Sequence, residues 1–301
     1  ITSGLGAGGD PKIGRAAAME SSREIAAALA GADMVFITAG MGGGTGTGSA
    51  PVAAEIAREV GAVVIAVVTM PFGFEMGRRS QNAREGIQAL RPHTHTLITV
   101  PNDRLLQIVP KDLSLEVAFR LADDVLRQGV QGIAELITQP GLINVDFAHV
   151  RELMLKAGGA YMAIGLGKGE GKAAGAIHQA LHHPLLAIDG LDQAQGVLVH
   201  FTGGDDLTLY EVGEAVNTLR ESLSPDAEVI LGATTSETMA GRAQVILIFT
   251  GVGGQPIATP MRTRPASHPS PEKEPAIQAN DADDLDLPTF LRRRAAVAQR
   301  S

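Results

Sequence analysis

The sequence has 301 residues, of which 45% are hydrophobic, with a formal net charge of −8 and no cysteine. This size and apolar content suit a soluble globular protein. The negative charge and the scarcity of aromatic residues argue against nucleic-acid binding, and the lack of cysteine excludes disulfides, thiol catalysis and cysteine-ligated zinc. The longest wholly apolar run, residues 62–68, is too short to span a membrane, so we expect a cytoplasmic protein. Because the chain starts at Ile1 and enters a glycine-rich loop at once, we expect that an N-terminal part is missing.

Strands and helices alternate in the first part of the chain, after a glycine-rich loop at residues 4–11. Such alternation predicts a parallel, doubly wound α/β sheet, in which ligands bind beyond the carboxyl ends of the strands. Apolar periodicity places strands at 34–38, 62–69 and 96–100, and helices at 15–30, 51–60 and 80–90.

The segment GMGGGTGTGS, residues 40–49, is the most unusual feature of the chain, because six of its first nine residues are glycine. It follows a strand, and Ser49 is expected to cap the next helix, with Pro51 in its first turn. Backbone N–H groups in such a loop bind anions, phosphate above all. The lysine of a P-loop is absent and the spacing G-x-G-x-x-G fails. The segment therefore predicts a different kind of phosphate site, with a flexible glycine connector as the alternative.

A long helix is predicted from Ser114, its N-cap, to residue 138, where Gln139-Pro140-Gly141 ends it. A second alternating unit follows. Its strands are expected at 160–166, 196–202, 228–232 and 244–250. We therefore predict a first domain at 1–138, which includes the long helix, and a second α/β domain at 139–252.

The composition changes after Gly251, since seven of the 16 prolines lie in residues 255–288. We expect a disordered linker at 253–282. A partner-docking peptide is predicted at 283–301. Its acids precede and its arginines follow an apolar i, i+3, i+4 set, which suits a short helix on a partner's groove, with a frayed tail as the alternative. The docking residues would be Leu287, Pro288, Phe290 and Leu291.

Several motifs, in this order, resemble the FtsZ family, the bacterial tubulin homologues that polymerise into the division ring. The resemblance covers residues 1–250 and the terminal peptide. The motifs are GLGAGGDP (4–11), GMGGGTGTG (40–48), PFGFE with the two following arginines (71–79), VPND (100–103), FRLADD (119–124), GVQGIAELIT with PGLINVDF (129–147) and DLDLPTFLRRR (284–294).

The resemblance implies a nucleotide site for GTP and GDP. Glu75 and Arg79 would contact the ribose and phosphate, and Asn102 and Asp123 would recognise guanine. Mg²⁺ would bridge phosphate oxygens and water, with no protein ligand to the metal. Phosphate contacts are implied for Gly43, Gly44, Thr45, Gly46, Thr47 and Gly48.

The resemblance also implies that the active site is completed between subunits, in a head-to-tail filament. Asn144 and Asp146, in the loop after the long helix, would act on the nucleotide of the next subunit. The family pattern NVDFxD has a second acid where this chain has His149. An imidazole can accept a proton but adds no negative charge, so we expect slow GTP turnover.

The implied function is that of a GTP-hydrolysing cytoskeletal protein at the mid-cell division site, on the inner face of the membrane, held there by adaptors that bind the terminal peptide. One alternative is a non-hydrolysing relative that acts only by joining filaments. A third is an NAD(P)-dependent oxidoreductase, on the strength of GEGKAA (169–174) and Asp189. In the segment HQALHH, His178 and His182 have the spacing of the two zinc ligands in a zinc-protease motif, but Gln179 stands in place of the glutamate of that motif. The alternative interpretation is that these are ordinary surface histidines.

Overall fold

A computed structural model describes residues 1–75, 77–107, 114–139, 141–156, 159–183 and 191–252. The predicted linker at 253–282 and the predicted docking residues Leu287, Pro288, Phe290 and Leu291 lie outside this part of the chain. The described strands form one sheet in the order β1-β2-β3-β4-β7-β5-β6. Their bounds are β1 Met34–Gly40, β2 Val63–Met70, β3 Thr96–Pro101, β4 Ala160–Lys168, β5 Gly196–Gly203, β6 Glu228–Thr235 and β7 Arg242–Thr250.

The helices of the described residues cover both faces of this sheet. No helix among them is long and apolar enough to cross a membrane. Their bounds are α1 Pro11–Glu20, α2 Ser22–Leu29, α3 Thr45–Glu59, α4 Arg78–Leu90, α5 Asn102–Leu105, α6 Leu115–Thr138, α7 Phe147–Lys156, α8 Lys172–Leu181 and α9 Leu209–Arg220.

All seven predicted strands occur, and the predicted fold class is confirmed. The strands β1 to β4 pair in parallel, as do β5 and β6, whereas β7 is antiparallel to both of its neighbours, β4 and β5. The link from β6 to β7 holds only residues 236–241, which is too short for the crossover that a parallel return requires. Strands β3 and β4 are joined by one pair, Ile98 and Ala160. The division into domains at residue 138 stays a prediction.

The doubly wound arrangement is visible in β2, whose residues are buried on both faces of the sheet. Val64 and Val68 share a core with α3 and α4. Val63 and Val67 share another core with α6, which also includes Ile246 of β7. Helix α6 therefore packs against both halves of the sheet. Its predicted N-cap is confirmed, since the Ser114 side chain accepts a hydrogen bond from the Val117 N–H at 3.4 Å.

Two helix boundaries differ from the prediction. The helix expected at 15–30 is two helices, α1 and α2, separated at Ser21. Helix α3 begins at Thr45, so Ser49 is inside it and is not an N-cap; its Oγ donates to the Thr45 carbonyl oxygen at 2.7 Å. Pro51 is tolerated inside this helix at the loss of one N–H donor. As a result, the residues from Thr45 to Thr47 form the start of a helix, where N–H groups lack intrahelical partners, and the first intrahelical bond runs from the Gly48 N–H to the Gly44 carbonyl oxygen at 3.1 Å.

His95, at the start of β3, is held as a neutral hydrogen-bond acceptor. Its Nδ1 accepts a hydrogen bond from the Val64 N–H at 2.9 Å. Burial of the ring, with the positive charges of Arg58 and Arg151, lowers the pKa of His95 from 6.5 to about 4. The unfolded chain therefore binds a proton between pH 6.5 and pH 4 that the folded chain does not bind. The contribution of the neutral His95 ring to the free energy of unfolding is therefore complete above pH 6.5 and is lost as the pH falls towards 4.

We expect the free energy of unfolding, measured by urea titration, to fall between pH 7 and pH 4.5 by on the order of 1–2 kcal/mol from this half-buried ring, after allowance for solvent screening. His95→Asn should remove that part of the pH dependence, because an amide oxygen can accept the same bond and does not titrate. His93→Asn is the matched control and should keep the wild-type dependence. An unchanged pH dependence in His95→Asn would contradict this account.

Candidate functional site

The loops that follow β1, β2 and β3 meet at one edge of the sheet. Strand pairing places Gly40 beside Thr69 and Met70 beside Pro101, at the carboxyl ends of parallel strands. Such an edge is where ligands bind in this class of sheet. The predicted phosphate and guanine residues follow these three strands or lie on α6, which packs against β2.

Asn82 of α4 connects the two glycine loops. Its amide nitrogen donates to the Gly9 carbonyl oxygen at 3.4 Å and to the Gly42 carbonyl oxygen at 3.3 Å. The Ala7 N–H also donates to the Thr45 hydroxyl at 3.3 Å. Asn82 is not among the residues predicted from the sequence, because its two partner loops lie about 70 and 40 residues earlier in the chain.

The glycines of the second loop have different surroundings. A Cβ at Gly44 would lie 2.8 Å from the Asp10 nitrogen, and one at Gly46 would lie 2.8 Å from the Gly40 carbonyl oxygen. At Gly48 it would lie 2.1 Å from the Pro11 carbonyl oxygen. The protein's own backbone therefore fills the space beside these three glycines.

Gly43 is different, since a Cβ there would meet no protein atom within 4 Å. Of the four predicted phosphate-binding glycines, it is the one beside which a ligand can approach the backbone. The phosphate contacts themselves stay a prediction.

The two threonines of this loop already accept hydrogen bonds from the backbone. Thr47 is buried, and its hydroxyl accepts from the Gly42 N–H at 2.8 Å. Thr45 is exposed and accepts from the Ala7 N–H. In both cases the hydroxyl hydrogen is left to donate, as an anionic ligand requires. The N-terminus of α3 adds a partial positive charge.

Glu75 and Arg79 form an ion pair, although Glu75 lies in the turn after β2 and Arg79 in the first turn of α4. The Glu75 carboxylate also accepts from the Phe72 N–H at 2.9 Å, which fixes the turn after β2. The Arg79 side chain is 58% exposed, so the guanidinium has donors available for a further anion. The structure thus brings together two residues that the sequence analysis assigned to the same role.

Asn102 is buried, and within the described residues its Oδ1 has no hydrogen-bond partner. A buried acceptor without a donor costs about 1–3 kcal/mol, so a ligand N–H that reaches this oxygen would stabilise the site. The neighbouring Asp103 is already engaged, since it accepts from the Gly73 N–H at 2.7 Å. The assignment of Asn102 to guanine recognition stays a prediction.

Asp123 lies exposed on α6, with no hydrogen bond or ion pair among the described residues. Phe119, one turn earlier on the same helix, is 40% exposed and meets Phe72 edge to face at a centroid distance of 5.4 Å. Phe72 in turn stacks on Phe74 at 5.0 Å. The sequence analysis missed this aromatic cluster, although its members lie in motifs that it quoted. A flat ring beside a free carboxylate suits a purine base.

The loop after α6 holds the predicted catalytic residues. The Asn144 side chain accepts from the Gly141 N–H at 2.8 Å. Asp146 accepts from the Ala148 N–H at 2.9 Å, so it caps α7. His149 follows in the first turn of α7, and all three predicted side chains are exposed. They line a cavity of about 320 Å³ together with residues 228–231 of β6.

The structure does not bring these catalytic residues to the nucleotide residues of the same chain. Helix α6 rises about 22 Å between Asp123 and Thr138, at about 1.5 Å per residue. Asn144 and Asp146 lie beyond its C-terminal end. The predicted nucleotide loops follow the carboxyl ends of β1 to β3. The predicted catalytic residues instead lie after the last residue of α6, beside residues 228–231 at the amino end of β6, which runs in the same direction as β1 to β4.

The GEGKAA motif has a structural explanation. Gly169 and Gly171 both have positive φ, so the turn after β4 requires glycine without any dinucleotide. Lys172, in the same motif, is buried and forms ion pairs with Asp206 and Glu211, each at 3.2 Å. Among the described residues, no group of three or more His, Asp or Glu side chains could hold a metal ion.

A polar cavity of about 440 Å³ lies between α6 and the strands β5 to β7. It is lined in part by Gln131, Thr202 and Thr234 and includes none of the predicted site residues. His200 lies buried beside it, with its Nε2 at 3.1 Å from the Thr234 hydroxyl, and burial lowers the pKa of this histidine.

Two family models match the chain: the GTPase domain of the Tubulin/FtsZ family over residues 1–110, and the C-terminal domain of the FtsZ family over residues 158–253. Cell division protein FtsZ 1 of Methanocaldococcus jannaschii is 51% identical over 252 residues, which are 84% of this chain and 69% of that protein.

Among solved structures, an empty FtsZ dimer of M. jannaschii superposes with a TM-score of 0.81 at 50% identity, covering 84% of this chain and 73% of that one. CetZ1 of Haloferax volcanii, a GDP-bound monomer, has a TM-score of 0.68 at 18% identity, covering 99% of this chain and 81% of that one, a likeness of fold alone. The resemblance predicted from the motifs is thereby confirmed. The chain belongs to the FtsZ family of tubulin-like GTPases.

Proposed function

We propose that this GTPase is a cell-division cytoskeletal protein that assembles head to tail and hydrolyses GTP between adjacent subunits. The observation that carries the proposal is the separation along α6. The predicted catalytic loop follows the C-terminal end of α6, about 22 Å along the helix from Asp123, so we infer that one molecule does not bring this loop to its own nucleotide. A second copy can, by presenting the loop after its own α6 to the first copy's glycine loops.

The chemistry divides between the two subunits. On one, the N-terminus of α3, the hydroxyls of Thr45 and Thr47 and the Arg79 guanidinium hold the phosphates. On the other, the Asp146 carboxylate accepts a proton from the attacking water, and the Asn144 amide N–H groups orient that water. Mg²⁺, when bound with the nucleotide, would supply neutralising charge at the phosphates.

A head-to-tail contact of this kind is heterologous and therefore gives open filaments. The M. jannaschii relative at 50% identity forms a dimer, which supports self-association. Location at the mid-cell division site and attachment to the membrane through adaptors on residues 283–294 belong to the same proposal. His149 favours a second candidate, a non-hydrolysing filament component, because this histidine stands where the family pattern NVDFxD has its second acid.

The test is GTP turnover as a function of protein concentration. We expect the rate per molecule to rise steeply above a threshold concentration, because the active site forms only on assembly. A rate per molecule that is independent of concentration would contradict a shared site.

A mixing experiment sharpens this test. Asp146→Asn keeps the nucleotide residues and loses the catalytic acid, whereas Gly43→Ala keeps the catalytic loop and fills the space beside the phosphate loop. At a GTP concentration well below saturation, each variant alone should turn over GTP at least about tenfold more slowly than the wild type, and an equimolar mixture should recover turnover. A mixture no more active than the sum of its parts would place both roles in one chain.

A further inference from the structure

We propose that His178 and His182 of this chain bind a divalent late transition-metal ion, such as Cu²⁺, Ni²⁺ or Zn²⁺, at a site separate from the nucleotide site. Both side chains are exposed at the C-terminal end of α8. Their rings stack, with centroids 4.2 Å apart and an angle of 27° between the ring planes, so an ion shared by both requires the exposed His178 ring to turn out of the stack. Histidines four residues apart on one helical face can chelate one ion through two ring nitrogens.

The structure fixes which nitrogen of His182 is available. Its Nδ1 lies 2.8 Å from the His178 carbonyl oxygen. A carbonyl oxygen can only accept, so Nδ1 carries the hydrogen and donates, and the lone pair is on Nε2. Metal-binding histidines commonly donate their second ring N–H to a backbone carbonyl in this way. The His182 backbone N–H donates to the same carbonyl at 3.2 Å, which holds the residue in place.

The position on the helix favours a cation. His182 is the C-cap of α8, where the last carbonyl groups carry partial negative charge. Because both rings are exposed, a bound ion keeps water in its remaining coordination positions. Two imidazoles with water favour Cu²⁺ over Ni²⁺ and Zn²⁺ in affinity.

The residue after His178 is not a general base in this chain. The zinc-protease pattern places a glutamate after the first histidine as the general base. Here that residue is Gln179, whose side-chain oxygen accepts a hydrogen bond from the Leu166 N–H of β4. The proposed role of the pair is therefore metal binding, because position 179 does not supply the base that the zinc-protease pattern uses to activate metal-bound water.

The experiment is a calorimetric titration of Ni²⁺ into the full chain, prepared without a histidine tag and without nucleotide. We expect one Ni²⁺ per chain, and at least tenfold weaker binding in His178→Gln and in His182→Gln. His93→Gln, which changes a histidine outside the pair, should bind as the wild type does. Far-UV circular dichroism and GTP turnover without nickel should be unchanged in all three variants.

Spectra of bound Cu²⁺ give a second readout. Electron paramagnetic resonance should show two coordinated nitrogens in the wild type and one in either pair variant. Nickel binding that is equal in the wild type and both pair variants would overturn the proposal. A loss of nickel affinity in His93→Gln as large as that in the pair variants would also overturn the proposal, because binding would then not depend specifically on His178 and His182.

Discussion

His149→Asp is expected to raise GTP turnover by roughly 10²- to 10⁴-fold, the usual contribution of a positioned acid–base group. The residue lies in the first turn of α7, three positions after Asp146, and is exposed to the same cavity. A carboxylate there adds a second negative charge beside the attacking water and a second acceptor for its proton. The helix N-terminus also favours an anion over an imidazole at this position. The measurement is turnover of wild type and variant above the assembly threshold.

The control is His149→Asn, which removes the imidazole without adding charge and should not raise the rate. A wild-type rate as fast as that of His149→Asp would show that a histidine serves this step as well as an acid. If wild type and His149→Asp are both inactive while both bind GTP, the non-hydrolysing alternative is supported.

The parts of the fold that local pattern decides were predictable. All seven strands and the extent of α6 follow from apolar periodicity and from the Ser114 cap. The start of α3 could not be predicted in this way, because Ser49 and Pro51 form a local signal for a helix that begins at residue 51. The helix instead begins at Thr45, where α1 packs closely against it. Tertiary packing of this kind leaves no local trace in the sequence.

Some residues of the candidate site could likewise be predicted from the sequence, and others could not. Motifs identified residues such as Glu75 and Arg79, which the structure pairs directly. Asn82 was missed because its partners, Gly9 and Gly42, are distant in the chain. The stacking of Phe72 on Phe74 and its contact with Phe119 likewise required the folded arrangement of α6 against the turn after β2.

Gly48→Ala is expected to lower stability, and Gly43→Ala is expected to lower GTP affinity, although both add one methyl group to the same loop. At Gly48 the new Cβ would lie 2.1 Å from the Pro11 carbonyl oxygen and 2.6 Å from the Arg15 nitrogen, both backbone atoms of α1. Helices α1 and α3 must then separate. We expect the free energy of unfolding to fall by about 1–3 kcal/mol or more, measured by urea titration.

At Gly43 the same methyl group meets no protein atom within 4 Å, and the residue does not require positive φ. The free energy of unfolding should stay within about 0.5 kcal/mol of wild type. GTP affinity, measured by equilibrium binding, should fall at least tenfold, because the methyl group enters the space proposed for phosphate. Wild-type GTP affinity in Gly43→Ala would mean that this open side faces solvent. Wild-type stability in Gly48→Ala would mean that the contact between α1 and α3 relaxes at little cost, and the glycines of the loop would then lack the packing role that their surroundings assign to them.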